Sequence, residues 1–323
     1  MITRRTFLQT AILAAGAGWC VSRARAKAAQ PRTPVDFAVP ADACDCHVHI
    51  FDPQRFPFSP ARVYTPEPAT LEELAAEHEA LHLGRTIVVQ PSVYGTDNSC
   101  TLDALRRLGE HARGVAVIDD HTPDSALDAM AQAGIRGIRL NLATAGITDP
   151  GAVRRRFQEG VERIKARNWH VQIYTQPDLI AAIADLVLVS PVPIVFDHFG
   201  GATVAHGGLR QPGVDALLRL LQSGRAYVKI SGAADYVSAG APDYADAAPL
   251  ARALIAANPE RILWASNWPH PDSTRVPGRE TTDLAPLVQV DDGRVLNLLP
   301  GWVPDPATRR TILVENPARL YEF

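Results

Sequence analysis

From residue 43 onward, short apolar runs alternate with stretches whose apolar positions return every three or four residues. The first pattern predicts β-strands and the second amphipathic helices. The expected strands are Ala43–His49, Arg85–Gln90, Gly114–Ile118, Ile135–Asn141, His170–Thr175, Ile194–His198, Ala226–Ser231 and Arg261–Ser266. Helix signals fall between them. Thr70-Leu71-Glu72-Glu73 reads as a capping box. Thr122 is expected to cap a helix with Pro123 at its first position, and Gly134 follows the last turn. Ala152–Arg167, Pro177–Val189, Pro212–Ser223 and Tyr244–Ala257 are the further amphipathic segments. Eight strand–helix units in one chain predict an α/β protein, a parallel (β/α)8 TIM barrel over residues 42–323. A doubly wound sheet is the competing architecture, but no Gly-x-Gly-x-x-Gly turn follows the first strand. Residues 29–41, with Pro31, Pro34 and Pro40, read as a linker on the barrel's outside. Residues 271–306 read as a helix-poor insertion over its mouth.

Charge changes the picture at the front of the chain. Lys+Arg 32 against Asp+Glu 35 gives a net charge of −3, but Arg4, Arg5, Arg23, Arg25 and Lys27 precede the first acid. Without residues 1–28 the chain carries 27 basic and 35 acidic residues, a net −8. Nucleic acid and anionic membranes are poor partners for such a body. Arg4-Arg5 followed by Phe7-Leu8, an apolar run from Thr10 to Val21 and the small-x-small stretch Ala24–Ala28 predict a cleaved twin-arginine signal over residues 1–28. The expected location is periplasmic. An apolar run of about a dozen residues is too short to span roughly 30 Å of hydrocarbon. Cys44, Cys46 and Cys100 remain after cleavage, and their spacing supports no disulfide framework.

Polar residues gather at the strand ends, where barrels of this kind carry their chemistry. Alternation puts Asp45, His47 and His49 on one face of the first strand. Tyr94 and Asn98 follow the second strand, Arg139 and Asn141 end the fourth, and Gln172 and Tyr174 end the fifth. His198 ends the sixth, and Asn267 and His270 follow the eighth. One such histidine is ordinarily structural. Three, joined by an amide at a fourth strand, point to a site.

The His-x-His of strand one, His198 and Trp268-Pro269-His270 resemble the amidohydrolase superfamily. Asp45–Asp52, Gly95-Thr96-Asp97-Asn98, Gly134–Arg139 and Asn316–Tyr321 fit its branch of 2-pyrone-4,6-dicarboxylate hydrolases and sugar-lactone hydrolases and isomerases. The resemblance spans residues 42–323. It implies a small-molecule lactone substrate and a catalytic set of His47, His49, His198, Asn267 and Tyr174. Arg139, Asn141, Tyr94, Asn98, Gln172 and His270 are the expected substrate-binding residues. Many superfamily members hold metal, and a zinc ion here would use His47, His49 and His198. The lactone branch typically works without metal, and no cofactor is the favoured expectation.

Asn267 stands where that branch carries the aspartate that activates water. Either another base replaces it, with His270 and Asp197 nearest in sequence, or the nucleophile is a hydroxyl of the lactone itself. The expectation is therefore a lactone isomerase of the galactarolactone type. A lactone hydrolase, a metal-dependent hydrolase or decarboxylase, and a non-catalytic binding paralogue are the alternatives. No arginine follows His198 or Ser231, where the pyrone hydrolases clamp a diacid. Arg139 alone suits one carboxylate.

Overall fold

The computed structural model describes residues 28–274 and 277–323. The export signal expected over residues 1–28 lies, except for its last residue, outside the described residues. Among the described residues, no helix is long and apolar enough to cross a membrane.

Eight parallel strands form one sheet in chain order. They are β1 (Cys44–Val48), β2 (Arg85–Val89), β3 (Ala112–Ala116), β4 (Ile135–Asn141), β5 (His170–Tyr174), β6 (Ile194–Phe196), β7 (Ala226–Ile230) and β8 (Ile262–Trp264). The TIM barrel closes where β8 runs out. Asn267 N–H donates to the His47 carbonyl at 3.2 Å, and His49 N–H to the Trp268 carbonyl at 2.9 Å. Asp45 staples the same seam, accepting from Ser266 N–H at 3.1 Å and from Ser266 Oγ at 2.5 Å.

Helices α1 (Leu71–Leu81), α2 (Ser99–Leu108), α3 (Asp124–Gln132), α4 (Pro150–Ile164), α5 (Pro177–Leu188), α6 (Val214–Gln222) and α7 (Ala248–Ala257) link successive strands. Their apolar faces pack on the sheet; in α6 these are Val214, Leu217, Leu220 and Leu221. Thr70 and Glu73 form the expected reciprocal cap of α1. Inside the barrel a second apolar cluster joins Val89, Val195, Tyr227 and Leu263, with Tyr321 of the C-terminal helix plugging the base.

Three local expectations fail for identifiable reasons. β3 starts two residues early and also ends two residues early, where the side chain of Asn98 takes both Val117 N–H (3.0 Å) and the Val117 carbonyl (2.8 Å) out of the ladder. Thr122 does not cap α3; its hydroxyl donates to Asp119 at 2.9 Å, and the helix starts at Asp124. Tyr244 is not helical, because its φ of 51° is left-handed, and α7 starts at Ala248.

The insertion after β8 is less helix-poor than expected, since it contains α8 (Asp292–Leu296) and α9 (Leu299–Trp302). Its residues Leu284–Ala285 pair with Thr65–Pro66. Residues 29–41 are tied to the insertion. Thr33 Oγ1 donates to Asp291 at 2.7 Å, and Asn297 to the Pro34 carbonyl at 2.9 Å. The strap crosses so close that a Cβ at Gly293 would lie 1.9 Å from the Thr33 carbonyl oxygen.

Candidate active site

The strand ends surround a narrow cleft, with about 20 Å³ of open volume, lined by His49, Tyr64, Arg139, Asn141, Tyr174, His198, Tyr236 and Asn267, among others. The β1–β2 register shifts between Asp45 and Val48, and this bulge divides the face expected to carry Asp45, His47 and His49. Asp45 instead turns outward, 3.5 Å from His78 of α1, while the two histidines go to the mouth. His198 and Asn267 sit on left-handed backbone, with φ of 47° and 74°. Non-glycine residues adopt that conformation at a cost, and it concentrates where a site must aim a side chain.

Below the cleft lies a charged floor. Lys229 of β7, fully buried, donates to Gln172 Oε1 at 2.6 Å and stands 3.4 Å from His47 Nδ1 and 3.6 Å from Asp197. Asp197 also accepts from Arg139 Nε at 3.2 Å and from Gln172 at 3.1 Å. Burial alone would raise the Asp197 carboxyl, but His47, Lys229 and Arg139 hold it well below the usual carboxylate range. Burial and the neighbouring cations have the reverse effect on the histidines. His47 lies well below its ordinary value, His49 falls to about 3 and His198 to about 4, so all three are neutral.

The Val89 carbonyl, 2.8 Å from His49 Nδ1, can only accept, so neutral His49 carries its proton there and has a bare Nε2. His47 Nε2 lies 3.2 Å from that atom, and its Nδ1 faces both the Asp197 carboxylate at 3.2 Å and the Lys229 ammonium at 3.4 Å. His198 Nδ1 lies 2.9 Å from Ser231 Oγ. A hydroxyl donating there leaves His198 Nε2–H for the cleft. Of the two histidines that line the cleft, His198 is then the one that offers a donor to a ligand.

Behind Asn267 is a second charged group that sequence reasoning did not assemble. Asn267 Nδ2 donates to Asp235 Oδ2 at 2.9 Å. His270 Nδ1 lies 3.1 Å from the same oxygen, and its Nε2 2.8 Å from Asp292. Burial opposes charge on His270, yet the two carboxylates push it well above its ordinary value. Glu77 beside Asp292 is pushed up to about 10 by burial and by that neighbour, so it keeps its proton.

Several expected site residues are placed elsewhere. His270 has both ring nitrogens engaged by carboxylates and is not among the residues lining the cleft. Asn98 is the clip on β3, and Tyr94 is buried, with its hydroxyl accepting from Asp52 N–H at 2.9 Å. Gln172 belongs to the floor. Arg139, Asn141, Tyr174, His49, His198 and Asn267 line the cleft. Tyr174 stands edge-on to His198 at 5.0 Å and, pushed up to about 12 by burial, remains a phenol. Arg139 keeps its guanidinium tips free of hydrogen bonds among the described residues, 5.8 Å over the Tyr174 ring. Sequence reasoning missed Lys229, Asp235 and Tyr236, which stacks on His198 at 4.8 Å. A lysine inside an apolar strand was the available signal for the first.

Among the described residues, His47, Asp197 and His198 are the group whose donor atoms, within 4.8 Å of one another, could hold a metal ion, which leaves out the expected His49. The Lys229 ammonium and the Arg139 guanidinium already pair with its one carboxylate, at 3.6 and 3.2 Å.

The family model described as Amidohydrolase matches residues 44–323. The chain is 34% identical to a 4-sulfomuconolactone hydrolase of Rhizobium radiobacter, over 89% of this chain and 92% of that protein. It is 32% identical to a D-galactarolactone isomerase of Agrobacterium fabrum, over 88% of this chain and 93% of the relative. A crystal structure from Pseudomonas putida, described as a 2-pyrone-4,6-dicarboxylic acid hydrolase, superposes with a TM-score of 0.70 at 29% identity. That match covers 88% of this chain and 98% of the other.

Proposed function

Because the chain belongs to the amidohydrolase family, we propose that it is an enzyme acting on the carbonyl of a lactone, and that it isomerises a sugar-acid lactone by intramolecular acyl transfer. The observation that carries the isomerase reading is Asn267, an amide lining the cleft where a base for water would stand. An amide orients a hydroxyl but takes no proton from it.

His198 Nε2–H donates to the lactone carbonyl oxygen and to the oxyanion that replaces it. The free fork of Arg139 takes one substrate carboxylate. A hydroxyl of the same molecule, accepted by Asn267 Oδ1, attacks the carbonyl carbon. The new C–O bond forms, the ring C–O bond breaks, and the attacking hydroxyl's proton ends on the released ring oxygen. No water is consumed. Oriented attack of this kind reaches effective molarities of about 10⁵–10⁸ M, which lets it outrun unactivated water. Hydrolysis is the second reading, favoured by the identity to a lactone hydrolase.

Aldarolactones and aldonolactones incubated in ¹⁸O-water and followed by NMR and mass spectrometry separate the two. Ring-migrated lactone without ¹⁸O is expected, and open-chain acid carrying ¹⁸O as the main product would sink the isomerase reading. We also propose that no metal is used. Activity should survive chelator, and loss in EDTA restored by Zn²⁺ would reverse that view. Periplasmic delivery by the twin-arginine route is proposed from Arg4-Arg5; unchanged export of Arg4→Lys/Arg5→Lys would defeat it.

A further inference from the structure

Asp235 has no role in the chemistry above, yet it is the carboxylate bonded directly to Asn267. It lies in the turn Ala233–Val237 after β7, which begins behind Gly232 at φ 70°. Its side chain is 4% exposed. Oδ2 is held by Asn267 Nδ2 at 2.9 Å and by His270 Nδ1 at 3.1 Å, while Oδ1 is buried with no partner among the described residues.

A carboxylate can only accept. Asn267 must therefore turn its NH2 toward Asp235, and its Oδ1 points the other way with no hydrogen-bond partner among the described residues. The backbone fixes where the amide sits, because Asn267 N–H is bonded to the His47 carbonyl and φ is left-handed, and the carboxylate fixes which way it faces. We infer that Asp235 is a positioning residue, which locks the Asn267 amide so that an acceptor without basicity faces the cleft. This deepens the isomerase reading and rests on it for the identity of the nucleophile. Asp235 also controls what position 267 can become. A carboxylate there would press against Asp235 Oδ2, and two carboxylates at hydrogen-bond distance share one proton.

Several charged and titratable groups surround Asp235. His270 faces it from the loop after β8, with Asp292 on its far side and Glu77 of α1 beyond that. His198, Tyr174, Tyr236 and Tyr244 are the other groups within its electrostatic reach. Of these, His270 carries the positive charge that keeps Asp235 ionised.

The test uses full-length Asn267→Asp, Asp235→Asn and the double variant. Carboxyl ¹³C NMR titration needs no substrate. In Asn267→Asp the new carboxyl should titrate well above the usual carboxylate range, and in the double variant it should return to that range. A new carboxyl titrating normally in the single variant would overturn the inference. With lactone, Asp235→Asn should lower kcat roughly 10–100-fold, the worth of a hydrogen bond to a charged group, with little change in KM. An unchanged kcat would also overturn it. The double variant should gain hydrolysis about 10²–10⁴-fold over the parent, since the amide placed at position 235 would then donate to an ionised base at 267. A parent that only hydrolyses would defeat the isomerase reading, while the titration would still decide the role of Asp235.

Discussion

The site contains two buried histidine clusters in opposite protonation states. In the floor, His47 has Lys229 at 3.4 Å and Asp197 at 3.2 Å, and that one carboxylate also serves Lys229 and Arg139. Behind Asn267, His270 is clasped at 3.1 and 2.8 Å by two carboxylates. His47 is 0% exposed and His270 1%, so burial is the same for both. His47 is neutral and His270 is an imidazolium. The ratio of cations to carboxylates within about 4 Å decides the charge, and with it the work each ring can do. The neutral histidines, His198 among them, place a hydrogen-bond donor at the cleft. The charged cluster has no free ring nitrogen and acts only through Asn267.

The largest effect should come from removing the floor's central cation. Lys229→Met leaves Asp197 short of a partner where water cannot replace it. Breaking a buried pair typically costs about 3–5 kcal/mol. The midpoint of urea unfolding should fall accordingly, and a variant as stable as the parent would show that Arg139 and His47 suffice for Asp197. His198→Gln comes next. It removes the one imidazole donor to the carbonyl and should lower kcat by about 10²–10³, by analogy with loss of an oxyanion-hole donor. If His47→Gln costs as much in kcat without loss of stability, His198 is not the one imidazole donor.

Acidity separates the clusters by sign. His49 and His170, at about 3, and His198, at about 4, are lowered by burial. As pH falls below the ordinary histidine value of about 6.5, the unfolded chain binds protons that these rings refuse, so stability drops toward pH 4. His270 is raised instead, so its contribution is complete below about 6.5 and is lost only as pH rises through its folded value. Urea midpoints should therefore be lower at pH 5 than at pH 7, and equal midpoints would break the contrast.

How much of this could be read from the sequence follows from the range of the forces involved. Strand and helix order were legible because periodicity is local, and so was the cap at Thr70, whose partner is three residues away. His47, His49, His198 and Asn267 were legible as a site because each sits at a strand end, and the fold brings strand ends together. Lys229 was hidden by its apolar strand, where nothing local says that the ammonium meets Gln172 and Asp197. Asp235 was missed, and the partners of His270 were not foreseen, because both depend on a contact between the β7 and β8 loops. Asn98 and Tyr94 look like ligand-binding groups, but their partners are backbone atoms that no pattern reveals.

The smallest effect tests how finely neighbours set the state of a ring. Ser231 Oγ, 2.9 Å from His198 Nδ1, charges nothing and fixes only which nitrogen carries the proton. In Ser231→Ala the ring is free to place its proton on Nδ1, and in that form Nε2 has no proton to donate. The cost is the net worth of one neutral hydrogen bond, about 0.5–1.5 kcal/mol, or roughly 2–10-fold in kcat. Neither substrate affinity nor the acid limb of the pH profile should move much, because burial and the nearby cations, which hold His198 at about 4, are untouched. Ser231→Thr retains a hydroxyl and should restore the rate. A loss as large as that of His198→Gln would instead mean that Ser231 touches the substrate, and a full rate in Ser231→Ala would mean that the ring is fixed from the cleft side.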